Sequence, residues 1–246
     1  MKILVSGLYG HMGREVAALL KNGAEGAELT AGVSLDIDGT FDVPCAESFA
    51  GAQADVDCIV DFSHHSWTKD LLEFAVMHDL PVVLATTGQT EEELEMIRDA
   101  SKHIPVFFAA NYSLGIALLI DLAKKTAAVM DGAEIEIIEQ HHNRKLDAPS
   151  GTALSIAQAI QEVRPDSRIV TGRTGYGKRE PRDIGIHSIR MGNIVGIHEV
   201  VVGTANQSIT LKHEAYSRAL FAEGALKAAA FLVKQPAGLY DMKSLL

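Results

Sequence analysis

The chain has 246 residues, 47% of them hydrophobic, 6% aromatic and 22% charged, which excludes a disordered chain and allows one large domain or two modest ones. Its 22 Lys and Arg against 32 Asp and Glu give a net charge of −10, the wrong sign for a nucleic-acid or anionic-membrane partner. Any anionic ligand must therefore be gripped by local features. Cys45 and Cys58 form no CxxC and no metal-ligand spacing, which suits reduced thiols in a reducing compartment.

Residues 2–6 are a β-rich run without the basic, apolar and cleavage-site pattern of a secretory signal. Glycines then lead into a helix at 12–21, with Met12, Val16, Leu19 and Leu20 on one face and a stop at Gly23. Strands follow at 29–35 and 58–62, then a helix at 68–78 and a buried strand at 81–85. The capping box Thr90-x-x-Glu93 opens a helix that carries Leu94, Ile97 and Arg98, and a strand at 106–109 closes the series. Strands alternating with helices in this way predict right-handed βαβ units and an α/β, Rossmann-like doubly wound parallel sheet.

Beyond Asn111 the pattern changes. A long helix at 114–130 precedes an alternating strand at 134–139, and strand-like runs recur at 168–172, 184–191, 194–203 and 207–213. The Gly192-Asn193 pair between two of these reads as a tight hairpin. A second α+β domain with a mixed or antiparallel sheet is expected, followed by a helix at 217–234. The expected domains are 1–112, 113–214 and a C-terminal segment at 215–246. The most apolar windows, 114–122 and 225–233, contain Asp121 and Lys227 and fall short of the roughly 20 residues that a bilayer span needs. A cytoplasmic protein with no membrane partner is expected.

Gly7-x-x-Gly10-x-x-Gly13 follows a strand and opens a helix, aiming backbone amides where a pyrophosphate can sit. The alternative is a tight strand-to-helix turn with no ligand. Asp36 lies 23 positions after Gly13, near the spacing of about 20 for an acid that binds the adenosine ribose hydroxyls. Asp38 is a second candidate, and both could be plain turn residues. A carboxylate here accepts from a ribose 2′-hydroxyl and repels a 2′-phosphate, and no Arg or Lys lies between Asn22 and Ser66. NADH is expected as the preferred coenzyme, with NADPH still usable. Thr86-Thr87-Gly88 and Ala109-Ala110-Asn111-Tyr112 follow later strands. They suit a nicotinamide ribose and carboxamide, or serve only as helix caps; both readings stay open.

The segment Glu139-Gln140-His141-His142-Asn143-Arg144-Lys145-Leu146-Asp147-Ala148-Pro149-Ser150-Gly151-Thr152-Ala153 runs from a strand end through a loop to a helix. His141 and His142, Lys145 and a Gly151-Thr152 helix start offer a proton donor near neutral pH, a cation and anion-binding amides. The chemistry implied is proton transfer to, and grip on, a carboxylated molecule. No metal is expected, because neighbours on a strand face opposite sides and no His-x-x-x-His or Cys partner is near.

At these residues the sequence resembles the 4-hydroxy-tetrahydrodipicolinate reductases, also called dihydrodipicolinate reductases. The resemblance covers nearly the whole chain and rests on residues 7–14, 85–88, 110–113, 139–153 and 190–198. It implies that His141 is the catalytic acid/base and Lys145 the proton donor, with His142, Gly151 and Thr152 holding the carboxylate end of a small dicarboxylate substrate. It also implies coenzyme contacts from Gly7, Leu8, Tyr9, Gly10, His11, Met12, Asp36, Ala85, Thr86, Thr87, Ala109, Ala110, Asn111 and Tyr112. A homotetramer paired through the second-domain sheets is implied, as is a C-terminal helix returned to the coenzyme domain. The reaction implied is hydride transfer from NAD(P)H that yields tetrahydrodipicolinate on the diaminopimelate route to lysine. One departure is Ile37 after Asp36, where many members place Arg after the acid. An aspartate dehydrogenase or a non-catalytic dinucleotide sensor would share the glycine turn, but neither accounts for residues 139–152.

Overall fold

The computed structural model describes residues 1–246. In chain order the elements are β1 (Lys2–Ser6), α1 (His11–Lys21), β2 (Glu28–Val33), β3 (Cys45–Ala46), β4 (Cys58–Asp61) and α2 (Thr68–Met77). Then come β5 (Val82–Leu84), α3 (Glu91–Ala100), β6 (Pro105–Phe108), α4 (Leu114–Val129), β7 (Glu134–His141) and α5 (Gly151–Val163). The chain ends with β8 (Arg168–Thr171), β9 (Asp183–Arg190), β10 (Gly196–Gly203), β11 (Ser208–Ala215), α6 (Ala219–Leu232) and β12 (Gly238–Tyr240). They form two compact units, residues 1–114 with 219–246, and residues 115–218. No helix is long and apolar enough to cross a membrane.

The first unit is a seven-stranded sheet in the order β12-β6-β5-β4-β1-β2-β3, parallel throughout. The order reverses between β1 and β4, the switch point at which ligands bind in open α/β sheets. Ile3, Leu4 and Val5 of β1 and Val82, Val83 and Leu84 of β5 are all fully buried, which is why these strands read as unbroken apolar runs. Helix α1 stops where Gly23 takes a φ of 74° and donates its N–H to Leu20 O. The capping box of α3 is formed as expected, Glu93 N–H donating to Thr90 Oγ1 and Thr90 N–H to Glu93 Oε2. In α6, Gly224 has no Cβ because one would sit 1.7 Å from Tyr112 O.

The second unit is a five-stranded sheet, β11-β10-β7-β9-β8. It is mixed: β7 runs parallel to β9 and antiparallel to β10. The tight hairpin expected at Gly192-Asn193 is not there. β9 and β10 do not pair with each other, because β7 lies between them. The turn instead wraps the end of β7, with Met191 N–H donating to His141 O, His142 N–H to Ile194 O and Asn143 N–H to Gly192 O. Helices α4 and α5 cover one sheet face, packing Ile116, Leu119, Ile156 and Ile160 on Ile135, Ile137, Ile186 and Val200. The buried Arg164 guanidinium donates to Ala127 O, Met130 O and Ala133 O, tying the last turn of α4 to the connection that leads into β7.

Candidate active site

In the first unit the glycine turn builds a cradle out of backbone. Gly7 has a φ of 77°, and a Cβ there would come within 2.6 Å of Phe62 O. Gly13 lies against the turn itself, where a Cβ would stand 2.1 Å from Gly7 O. Gly10 precedes α1 and makes no side-chain cap, so first-turn amides and the helix dipole are left for an anion.

Two clefts flank this turn, of about 240 Å³ and 250 Å³, and they share Phe62 as a wall. The first is lined by Gly7, Tyr9, Gly10, Asp36 and His64 among others; the second by Met12, Ala85, Thr87, Ala110, Asn111 and Tyr112 with Phe221. A nicotinamide dinucleotide fits this set: amides for the pyrophosphate, a carboxylate on one side, and Thr87 and Asn111 on the other. Of the other expected contacts, Leu8, His11, Thr86 and Ala109 line neither cleft. The Leu8 side chain is fully buried in the core, so only its backbone is available. Thr86 spends its hydroxyl on Asp61, donating to Oδ2 at 2.6 Å. His11 is exposed at the start of α1.

Asp38 is a paired turn residue. Arg14 Nη2 donates to its Oδ2 at 2.6 Å, and hydrogen bonds from the Thr40 hydroxyl and amide, then from Arg14, hold its carboxyl down at about 2. The Arg14 guanidinium lies 5.6 Å and 5.7 Å from the Tyr9 and Phe41 ring centres.

In the second unit the site continues the core. Along β7 every second residue is buried, Ile135, Ile137, Glu139 and His141, because a strand's period of two keeps one face inward. The two apolar positions pack under the helices, and the two polar ones emerge at the strand's carboxyl end. Register supplies their neighbours: Glu139 lies beside Ser188 and opposite His198, and His141 beside Arg190.

Glu139 is 0% exposed. It accepts from Arg190 Nη1 and Nη2 at 2.8 and 2.7 Å, meets His141 Nδ1 at 2.6 Å and accepts Ser150 N–H at 3.1 Å. Burial opposes its charge, yet hydrogen bonds led by those from Arg190 hold its carboxyl at about 2. Burial lowers His141 and Glu139 raises it, while Lys145 and Arg190 push it down; the net shift is downward. His198 is lowered to about 4, first by burial and then by His141; its Nε2 lies 3.1 Å from Ser150 Oγ.

Ser150 caps α5, accepting Ala153 N–H, and nothing stands within 4 Å of where a Gly151 Cβ would be. Lys145, in the loop between, pairs with Asp147 at 2.9 Å. His142 buries an unpartnered Nδ1. His141, His142, Lys145 and the start of α5 are thus gathered at one end of β7. No group of three or more His, Cys, Asp or Glu side chains could hold a metal ion.

Family models for the N-terminus and the C-terminus of dihydrodipicolinate reductase match residues 1–112 and 115–246. The chain belongs to the dihydrodipicolinate reductase family. A 4-hydroxy-tetrahydrodipicolinate reductase from Caldanaerobacter subterraneus subsp. tengcongensis is 47% identical over 249 residues, spanning 100% of this chain and 98% of that protein. One from Clostridium tetani is 41% identical over 251 residues, spanning 100% and 97%. Among solved structures, a dipicolinate-bound dihydrodipicolinate reductase from Paenisporosarcina sp. TG-14 superposes with a TM-score of 0.82 at 25% identity, covering 100% of this chain and 99% of that one. A probable dehydrogenase from Thermotoga maritima, with a TM-score of 0.64 and 13% identity, shares the fold alone.

Several residues at the sites of this reductase-family chain carry too weak a signal in the sequence to be given a role. Glu139, Arg190 and His198 lay inside the motifs that carry the resemblance but had no role assigned. Phe62 and Phe221 carry no polar signature at all, and only their place on the cleft wall marks them.

Proposed function

We propose that the protein reduces 4-hydroxy-tetrahydrodipicolinate to tetrahydrodipicolinate, in the diaminopimelate route to lysine. The observation that carries this reading is the meeting of His141, Lys145 and the start of α5 at the end of β7, in a chain whose two halves match one reductase family. A nicotinamide dinucleotide, when bound, supplies hydride to the ring carbon of the conjugated imine that is left when water departs. The protein supplies the balancing proton. His141 is the acid/base, and Lys145 is the proton donor and a cation beside a dianionic substrate. His142 and the Gly151 and Thr152 amides grip a carboxylate at the helix N-terminus. Substrate-dependent oxidation of NADH by the purified protein is the test; a coenzyme that binds and is never oxidised would leave only a dinucleotide-binding protein.

The same assay reads coenzyme choice. Asp36 lines the first cleft, Ile37 follows it with 39% exposure, and the nearby Arg14 is already engaged by Asp38. A 2′-phosphate would be brought beside carboxylates with no uncommitted guanidinium to receive it. We expect kcat/KM to favour NADH by about tenfold, roughly 1.4 kcal/mol, and Ile37→Arg to move the preference toward NADPH. Equal kcat/KM for the two coenzymes at low salt would show that Arg14 leaves Asp38 for the phosphate.

A homotetramer is part of the same reading. Strand β11 is an edge strand of the second sheet, no residue along it is fully buried, and Ile209 on it is 40% exposed. Such an edge invites pairing with another copy. Sedimentation at micromolar concentration should show a tetramer, and a monomer there would refute this.

A further inference from the structure

The geometry points to Glu139 as a positioning residue: its carboxylate holds the Nδ1–H of His141, so that Nε2 is the atom that exchanges protons, and Arg190 locks that carboxylate in place. The inference rests on the reading of His141 as the acid/base. It begins from a buried carboxylate that the hydrophobic core does not need. Packing would be served by a third apolar residue after Ile135 and Ile137, and a buried carboxylate persists only when donors surround it. Glu139 has them: two guanidinium N–H groups from Arg190, the Ser150 amide and His141 Nδ1.

The donor count fixes the tautomer. An ionised carboxylate only accepts, so the 2.6 Å contact to Oε2 requires a hydrogen on His141 Nδ1. In the neutral ring Nε2 then holds the lone pair, and in the charged ring Nε2–H is the acid. Room is kept for that atom. A Cβ on Gly196 would stand 3.2 Å from Nε2, so a larger residue at this position of β10 would crowd it. Arg190 does more than neutralise, because its Nη2 also donates to Asp147 O at 2.7 Å. One guanidinium therefore fixes both the carboxylate behind His141 and the loop that carries Lys145.

The charged and titratable groups facing His141 are Glu139 on its own strand, Arg190 on β9, His198 on β10, and His142 and Lys145 in the loop that follows. Among those acting on the His141 ring, Glu139 alone raises its affinity for a proton. Removing that charge leaves burial, Arg190 and Lys145 unopposed. His141 in Glu139→Gln should then lose its proton at lower pH than in the wild type. Since the reaction consumes a proton, the alkaline limb of kcat/KM should move to lower pH.

The experiment combines ¹⁵N NMR of the histidine rings with pH profiles of the wild type, Glu139→Gln and His141→Gln, the last of which also assigns the His141 signals. The wild type should show His141 as the Nδ1–H tautomer. Glu139→Gln should lower kcat by about 10- to 100-fold, part of what a general acid contributes, with the alkaline limb shifted to lower pH and KM for the substrate within about threefold. A purely structural ion pair would lower thermal stability and leave limb and tautomer alone, which overturns the inference. A wild-type His141 found as the Nε2–H tautomer overturns it whether or not Glu139→Gln folds. The underlying reading fails separately: normal turnover in His141→Gln removes His141 from the chemistry. Loss of turnover there, with Glu139→Gln unchanged, removes only the role of Glu139.

Discussion

His141→Ala is expected to fold, to bind NADH as the wild type does, and to lose about 10² to 10⁴ in kcat, the usual contribution of a positioned general acid. Folding should survive because the truncation does not orphan Glu139, which keeps both Arg190 N–H bonds and the Ser150 amide. Coenzyme binding should survive because both clefts are lined by residues of the first unit. Steady-state turnover and fluorescence titration with NADH read the two halves of the expectation separately. Turnover near the wild-type value in a folded variant would exclude His141 as the acid.

Lys145→Ala is expected to lower kcat/KM by at least about 10²-fold, since it removes a proton source and a cation that faces a dianion. Stability should hardly change. Its partner Asp147 has a side chain 57% exposed, and a pair of this kind contributes roughly 0–1 kcal/mol. The test is the contrast between the two quantities. A clear fall in the melting temperature with unchanged kcat/KM would make Lys145 part of a structural ion pair and nothing more.

The two units were unequally legible in the sequence. In the first, the central strands β1, β4 and β5 are buried on both faces and the helix ends carry local chemistry, as at Gly23 and Thr90, so propensity and tertiary structure agree. The strands that escaped notice there, Cys45–Ala46 and Gly238–Tyr240, are too short to show a period. Gly192 misled for a different reason. Its positive φ of 53° does mark a turn, but a local signal does not say which strands the turn joins, and here β7 enters between them. At the site, the residue types in 139–153 point to acid–base chemistry without pointing to the support behind it. Glu139 read as the polar end of an alternating strand, and its partner Arg190 lies 51 positions away, a pairing that only the parallel register of β7 and β9 brings about.

That shared register has a consequence for how the protein can vary. Because Ile135, Ile137, Glu139 and His141 occupy one face of one strand, loss of a single residue between Glu134 and Ile138 would turn that face over for part of the strand. Either the part before the deletion flips and brings Glu134 or Glu136 under the helices, or the part after it flips and sets Glu139 and His141 out of step with Arg190 and His198. Core and site in the second unit therefore answer to the same count of residues along β7. Changes of length are better tolerated elsewhere, as in the exposed residues 174–178, which belong to neither sheet. Along β7 the ladder that holds the hydrocarbon core in place also measures out the distance between a proton and its acceptor.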